Sequence, residues 1–367
     1  PIRTLKLLQI FPSKKFPKGM RIEGAIFTNP NEKKQFIKEH QRYFKERDHR
    51  VVGEEMGLFR LLLGEDSWIW YPKGVLFKQL LQKCIDRCID SQDYRFLPIE
   101  MRGRDLKKSH CQFWEACPVG FGTCQGILDR NEGVWQPLQE CGFLGRRRGE
   151  RFSLLVEKRV APDISSSLLQ RIESWVRMLG LQACWRGRGN WPGSQLPLEI
   201  GSDLLKRGPL PNHDWIELRL FDKLGRSWPG PFIEKIPLRE GWILFGDWVG
   251  GIEQIAALVI EQHEGHLPVF LSPEQVRVLP ADTASIGYGA EVGEVCCKEG
   301  VRCEVDTRLI LLRQKVFEAE KERVPYLLLV GEKERRSAQV MVRSVQGQKM
   351  WKLNEFLNLI KGEDKTA

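Results

Sequence analysis

Histidine and cysteine carry the most chemistry among side chains, and their spacing here offers little of it. The six histidines stand at 40, 49, 110, 213, 263 and 266. Only His263 and His266 are close, within HEGH, which lacks the i, i+4 spacing that sets both imidazoles of an HExxH site on one helical face. The ten cysteines are irregularly spaced and form no CxxC pair. Cys84 and Cys88 are four apart on a helical pattern, and Cys296 and Cys297 are adjacent. In a chain of this size that pattern reads as reduced thiols, not as a disulfide framework. Gly120–Gly126, GFGTCQG, is glycine-rich but lacks the Gly-Lys-Ser/Thr of a phosphate loop. No Ser-His-Asp arrangement follows from spacing.

With 367 residues, two domains are expected. A hydrophobic content of 42% with 29% charged residues is that of an ordinary globular protein. The net charge of +9 favours a polyanionic partner, nucleic acid before membrane, because no basic amphipathic anchor is visible. No apolar run is long enough to cross a bilayer, and PIRTLKLLQIFPSKK has no small-residue cleavage site. A cytoplasmic protein without membrane attachment is expected, and Pro1–Lys18 reads as an irregular basic extension.

Positions for functional groups must come from the elements. Ile252, Ile255, Ala256, Val259 and Ile260 fall at the spacing of a helix with one buried stripe. Gly265 ends that helix and Pro268 forbids its continuation. Beyond it, strands are expected at Gln275–Leu279, Arg302–Val305, Tyr326–Val330 and Gln339–Arg343, with helices at Ile286–Glu299, Leu311–Arg323 and Leu353–Ile360. This alternation reads as a compact α/β domain. Trp215–Trp228, WIELRLFDKLGRSW, reads as a strand, a tight turn and a returning strand, whereas Trp185–Pro197, WRGRGNWPGSQLP, reads as a loop.

The segments RIEGAIF from Arg21, RDHR at Arg47–Arg50, WYPKG at Trp70–Gly74, PLQECGFLGR ending at Arg146, WIELRLFDKLGRSW and LPVFLSPEQVRVLP together resemble threonyl-tRNA synthetases, over nearly the whole length after Arg21. The resemblance implies an α+β fold. A class II antiparallel sheet flanked by helices would occupy 21–266, after an extension at 1–20, and an α/β anticodon-binding domain would occupy 267–367. It also implies that the family's editing region is absent, and that homodimerisation runs through Tyr94–Glu100.

In that family, motif 2 and motif 3 each supply an arginine to the triphosphate. Glu140 and Arg146 fall on the motif 2 positions. Gly250 and Glu253 match motif 3, but Gln254 stands at its arginine. The family's zinc is held by a cysteine and two histidines. Cys117 falls on the cysteine, while Lys158 and Phe245 replace the histidines. Phenylalanine cannot ligate and an ammonium repels the cation, so no zinc is expected. Arg323, Glu334 and Arg343 fall on the residues that read the anticodon, and Leu309 stands where an asparagine is used.

These expectations combine into a catalytically inactive relative that binds tRNA, threonine tRNA favoured, or a tRNA-like RNA, without a cofactor. ATP, magnesium and zinc would enter only if the chain were instead a divergent, active threonine–tRNA ligase. A third alternative is a protein-partner module of a synthetase complex.

Overall fold

The computed structural model describes residues 4–12, 20–61, 68–89, 95–96, 123–128, 151–157, 164–191, 193–200, 213–223, 225–237, 242–247 and 251–365. Strand β1 (Thr4–Pro12) pairs antiparallel with β2 (Met20–Phe27). The supposed irregular extension is therefore a strand across Thr4–Pro12. TLKLLQIF is rich in residues suited to an extended, half-buried surface, a pattern that outweighs the lysines around it.

Helix α1 (Pro30–Glu46) is capped by Asn29, whose side chain accepts from the amide of Glu32, and it ends at RDHR. There Asp48 accepts from the amide of Arg50 and starts a second helix, α2 (His49–Glu55). A short hairpin, β3 (Phe59–Leu61) with β4 (Trp68–Trp70), leads into α3 (Pro72–Ile89).

Among the described residues, the large sheet has eight strands. They are β5 (Arg95–Phe96), β6 (Thr123–Leu128), β7 (Arg151–Glu157), β8 (Gln182–Arg188), β9 (Leu198–Ile200), β10 (Asp214–Phe221), β11 (Ser227–Pro237) and β12 (Trp242–Asp247). Their spatial order is β5-β6-β7-β12-β11-β10-β8-β9, antiparallel from β6 through β8. Helix α4 (Ile164–Met178) precedes β8, and α5 (Ile252–Gln262) follows β12. Ile216, Leu218, Leu220 and Ile233 of the sheet share one core with Leu168, Ile172 and Trp175 of α4 and with the expected stripe of α5.

Trp185–Arg188, expected in a loop, lies in β8. Trp185 is fully buried and its indole donates to Glu173 Oε1 at 2.7 Å. Gly187 is there for close approach, because a Cβ on it would stand 2.2 Å from the Trp215 carbonyl oxygen.

The second sheet is built from β13 (Val276–Pro280), β14 (Cys303–Val305), β15 (Tyr326–Val330), β16 (Gln339–Ser344) and β17 (Gly347–Lys352), in the order β14-β13-β15-β16-β17. The first three in that order run parallel and the last three antiparallel. Helices α6 (Ile286–Lys298), α7 (Leu312–Lys321), α8 (Glu332–Ser337) and α9 (Leu353–Lys365) connect and cover it. Its own core joins Val276, Val278, Leu328 and Val330 to Val292, Phe356 and Ile360. The four strands expected here are present. Unforeseen were β17, α8 and the end of α7, which stops at Lys321 and leaves Arg323 in a left-handed turn with φ of +56°. Among the described residues, no helix is long and apolar enough to cross a membrane.

Candidate functional site

The face of the large sheet away from the helices begins with alternation. In DWIELRLF, Ile216, Leu218 and Leu220 point into the core, so Trp215, Glu217 and Arg219 occupy the other face. Cross-strand pairing sets Trp215 between Glu234 and Arg188, and Glu217 between Phe232 and Arg186. Glu234 in turn pairs with Phe245, the zinc-histidine position, which pairs with Leu155.

Three described side chains of this face, Trp215, Glu217 and Glu234, are buried. Trp215 is 2% exposed and stacks on Phe232 with ring centres 6.0 Å apart. Arg219 reaches Glu217 at 3.3 Å and donates to the Ser227 carbonyl at 2.8 Å, while His213 Nε2 stands 3.4 Å from Glu234. A triphosphate requires converging cations. Here the rows beside position 245 present two carboxylates and an indole–phenyl stack, with Arg186 opposite Glu217 and Arg188 opposite Trp215.

Gln254, at the motif 3 arginine position, is 2% exposed, and its Nε2 donates to the Pro229 carbonyl at 2.8 Å. The amide fastens α5 to β11. Cys117, Glu140, Arg146 and Lys158 lie outside the described residues, as does the side chain of Phe245.

Asp48, His49 and Glu261 are the one group among the described residues whose ligating atoms all lie within 4.8 Å of one another. Each carboxylate is already taken up. Asp48 accepts from the backbone amide and Nε of Arg50, both at 2.9 Å. Glu261 accepts from the Tyr43 hydroxyl and stands 2.6 Å from His49 Nδ1. This is a buried polar network that joins α1, α2 and α5, with Arg226 of the β10–β11 turn touching the Tyr43 hydroxyl at 3.3 Å.

In the second unit, the residues expected to read bases divide between two ends of β15. Arg343 lies on β16 opposite Leu327, 38% exposed, with Nε 2.7 Å from Glu320 Oε1. Arg323 lies at the same end, its backbone amide donating to the Glu320 carbonyl. Its guanidinium, however, turns to the first unit. Nη1 pairs with Glu55 at 2.9 Å, Nε donates to the Glu264 carbonyl at 3.2 Å, and the side chain is 16% exposed. Glu334 lies beyond the opposite end of β15, where its carboxylate accepts from the Gly331 amide at 3.0 Å and caps α8. Leu309 is 78% exposed, with Leu311 and Phe317 also exposed.

The sequence reading missed Trp215, Glu217, Phe232 and Glu234. The alternation in DWIELRLF was the available signal, since it marks one charged face. A cleft of about 320 Å³ between the units was equally invisible; it is lined by Lys73, Arg277, Arg308, Glu304, Asp306 and Glu322. Lys73 stands 2.6 Å from Glu274 and 3.2 Å from Glu322, and Arg277 stands 2.7 Å from Glu322. Burial alone would raise the Glu322 carboxyl, but Arg277 and then Lys73 outweigh it and hold it below the ordinary 4.5.

Residues 275–363 match the family model described as an anticodon binding domain. A threonine–tRNA ligase of Dehalococcoides mccartyi (strain CBDB1) is 30% identical over 450 residues, covering 100% of this chain and 76% of that protein. One of Gloeobacter violaceus is 24% identical over 412 residues, covering 90% of this chain. The chain spans 66% of that relative's length, just under two thirds. The crystal structure of the RNA binding domain of threonyl-tRNA synthetase from Cryptosporidium parvum Iowa II matches with a TM-score of 0.68 at 18% identity. That match covers 86% of this chain and 98% of that one, and it is a likeness of fold.

A helix-backed antiparallel sheet joined to an anticodon-binding unit defines an α+β protein of the aminoacyl-tRNA synthetase class. Within that class, the chain belongs to the threonine–tRNA ligase family.

Proposed function

We propose that the chain binds tRNA, threonine tRNA favoured, or a tRNA-like RNA through residues 275–363, and that it does not carry out aminoacylation. The observation that carries the reading is the anticodon-binding match over those residues, which fold around a core of their own. Arg343 supports it from the surface of that unit. An exposed arginine–carboxylate pair is worth only about 0–1 kcal/mol, so a base edge or phosphate can displace Glu320 with little penalty.

Loss of catalysis is supported by the engagement of Gln254 with Pro229 and by the buried carboxylates Glu217 and Glu234 on that face. An uncharged amide cannot replace a phosphate-binding arginine, and each such donor is worth several kcal/mol of barrier.

Filter binding with tRNA transcripts tests the first part: affinity should depend on the anticodon, and Arg343→Ala should weaken it. Equal affinity for every anticodon would refute it. ATP–pyrophosphate exchange across the amino acids tests the second part, and threonine-dependent exchange would establish the divergent ligase instead.

A further inference from the structure

The junction between the two units is held by adjacent residues of opposite charge. Glu322 and Arg323 follow the last turn of α7. Glu322 takes Lys73 of the first unit at 3.2 Å, and Arg323 takes Glu55 of the first unit at 2.9 Å. Arg323 also donates to the Glu264 carbonyl, two residues past the end of α5. A guanidinium at a helix C-terminus meets the negative end of the helix dipole, so this contact is favourable in itself.

The backbone is bent to make that contact. Arg323 has φ of +56° and Glu264 has φ of +55°, so both non-glycine residues occupy left-handed turns at the ends of their helices. Glycine usually takes this position, because a side chain there is strained. Gly265, with φ of +81°, follows Glu264 and stands against Arg323. A Cβ on it would stand 2.5 Å from Arg323 Cδ and 2.6 Å from Val52 Cγ1. The approach of the two units therefore depends on that glycine, and the arginine stays although glycine would suit its backbone.

We propose that Arg323 is a positioning residue: paired with Glu55, it sets the orientation of the anticodon-binding unit against the first unit, and it affects RNA binding through that orientation instead of by contacting a base. The proposal rests on the RNA-binding reading above and changes the part this residue plays in it. The sign of one substitution separates the two roles. Glu55→Arg adds positive charge near the junction, so direct reading by Arg323 predicts unchanged or stronger binding to a polyanion. A positioning role predicts weaker binding, because two cations then face each other across the junction.

The test uses the full chain, an unmodified threonine tRNA transcript, and three variants: Glu55→Arg, Arg323→Glu and the two combined. Circular dichroism melts confirm that each is folded, and small-angle X-ray scattering without RNA reports the arrangement of the two units. Each single variant should change the scattering profile and weaken binding about tenfold, and the double variant should regain both. Unchanged or tighter binding by Glu55→Arg, or a double variant that scatters like the wild type yet binds as poorly as Arg323→Glu, overturns the proposal in favour of direct reading. If the wild type binds no tRNA, the RNA-binding reading fails and scattering alone decides. Restoration in the double variant then sustains the clasp, and its absence ends it.

Discussion

His49 Nδ1 and Glu261 Oε1 stand 2.6 Å apart, and each side chain is 2% exposed. Glu261 also accepts the Tyr43 hydroxyl, so one carboxylate joins three helices. Removing one partner from such a pair leaves an uncompensated polar group in a dry site. Glu261→Ala should lower the unfolding free energy by about 3–5 kcal/mol, and Glu261→Gln, which keeps an acceptor, by less. Urea melts of both variants check the order.

Gln254→Arg restores the residue type that the family carries but should not restore the chemistry. Position 254 is 2% exposed and its amide already bonds Pro229. Taking a guanidinium out of water in place of this amide should cost about 3 kcal/mol or more. Thermal melts should show destabilisation, and pyrophosphate exchange should stay at background.

Acidification should loosen the molecule in two stages. Burial, and then the charge of Arg323, hold the His266 imidazole below its ordinary 6.5. A depressed histidine pKa means that the unfolded chain binds the proton more readily. The corresponding stability is complete above pH 6.5 and is lost as pH falls through the folded value. Burial opposes ionisation of Asp48 and Glu322, but Arg50 and Arg277 respectively outweigh it and hold these carboxyls below 3.8 and 4.5. Their contribution is present above those values and is lost only at lower pH. Urea midpoints measured from pH 7.5 to 3.5 should fall below pH 6.5 and again below pH 4.5. In an NMR titration, Arg323→Ala should move His266 upward.

Gly265→Ala should destabilise by about 1–3 kcal/mol, since it adds left-handed strain to a collision with Val52 and Arg323. Gly300→Ala is the control. It also has positive φ, at +82°, but a Cβ there would meet nothing within 4 Å. The first loss should exceed the second.

What could be read from the sequence followed from locality. The stripe of α5 and the strands of the second unit show in short periodic patterns, and each is present. WRGRG does not read as a strand because Gly187 serves a neighbouring strand, and that close approach leaves no local mark. RDHR was visible as a motif, but its partner Glu261 is 212 residues away, so its part in a buried network was not. Arg323 could be placed at the end of a helix, whereas the direction of its guanidinium depends on Glu55, far off in the chain.

Both rims of the second sheet make poor templates for another strand. At one rim β14 spans only Cys303–Val305, and at the other β17 is largely exposed and carries Lys349 and Lys352. Cationic side chains and short edges deter the joining of sheets from separate molecules. A unit built this way offers little at its margins on which a fibril could grow.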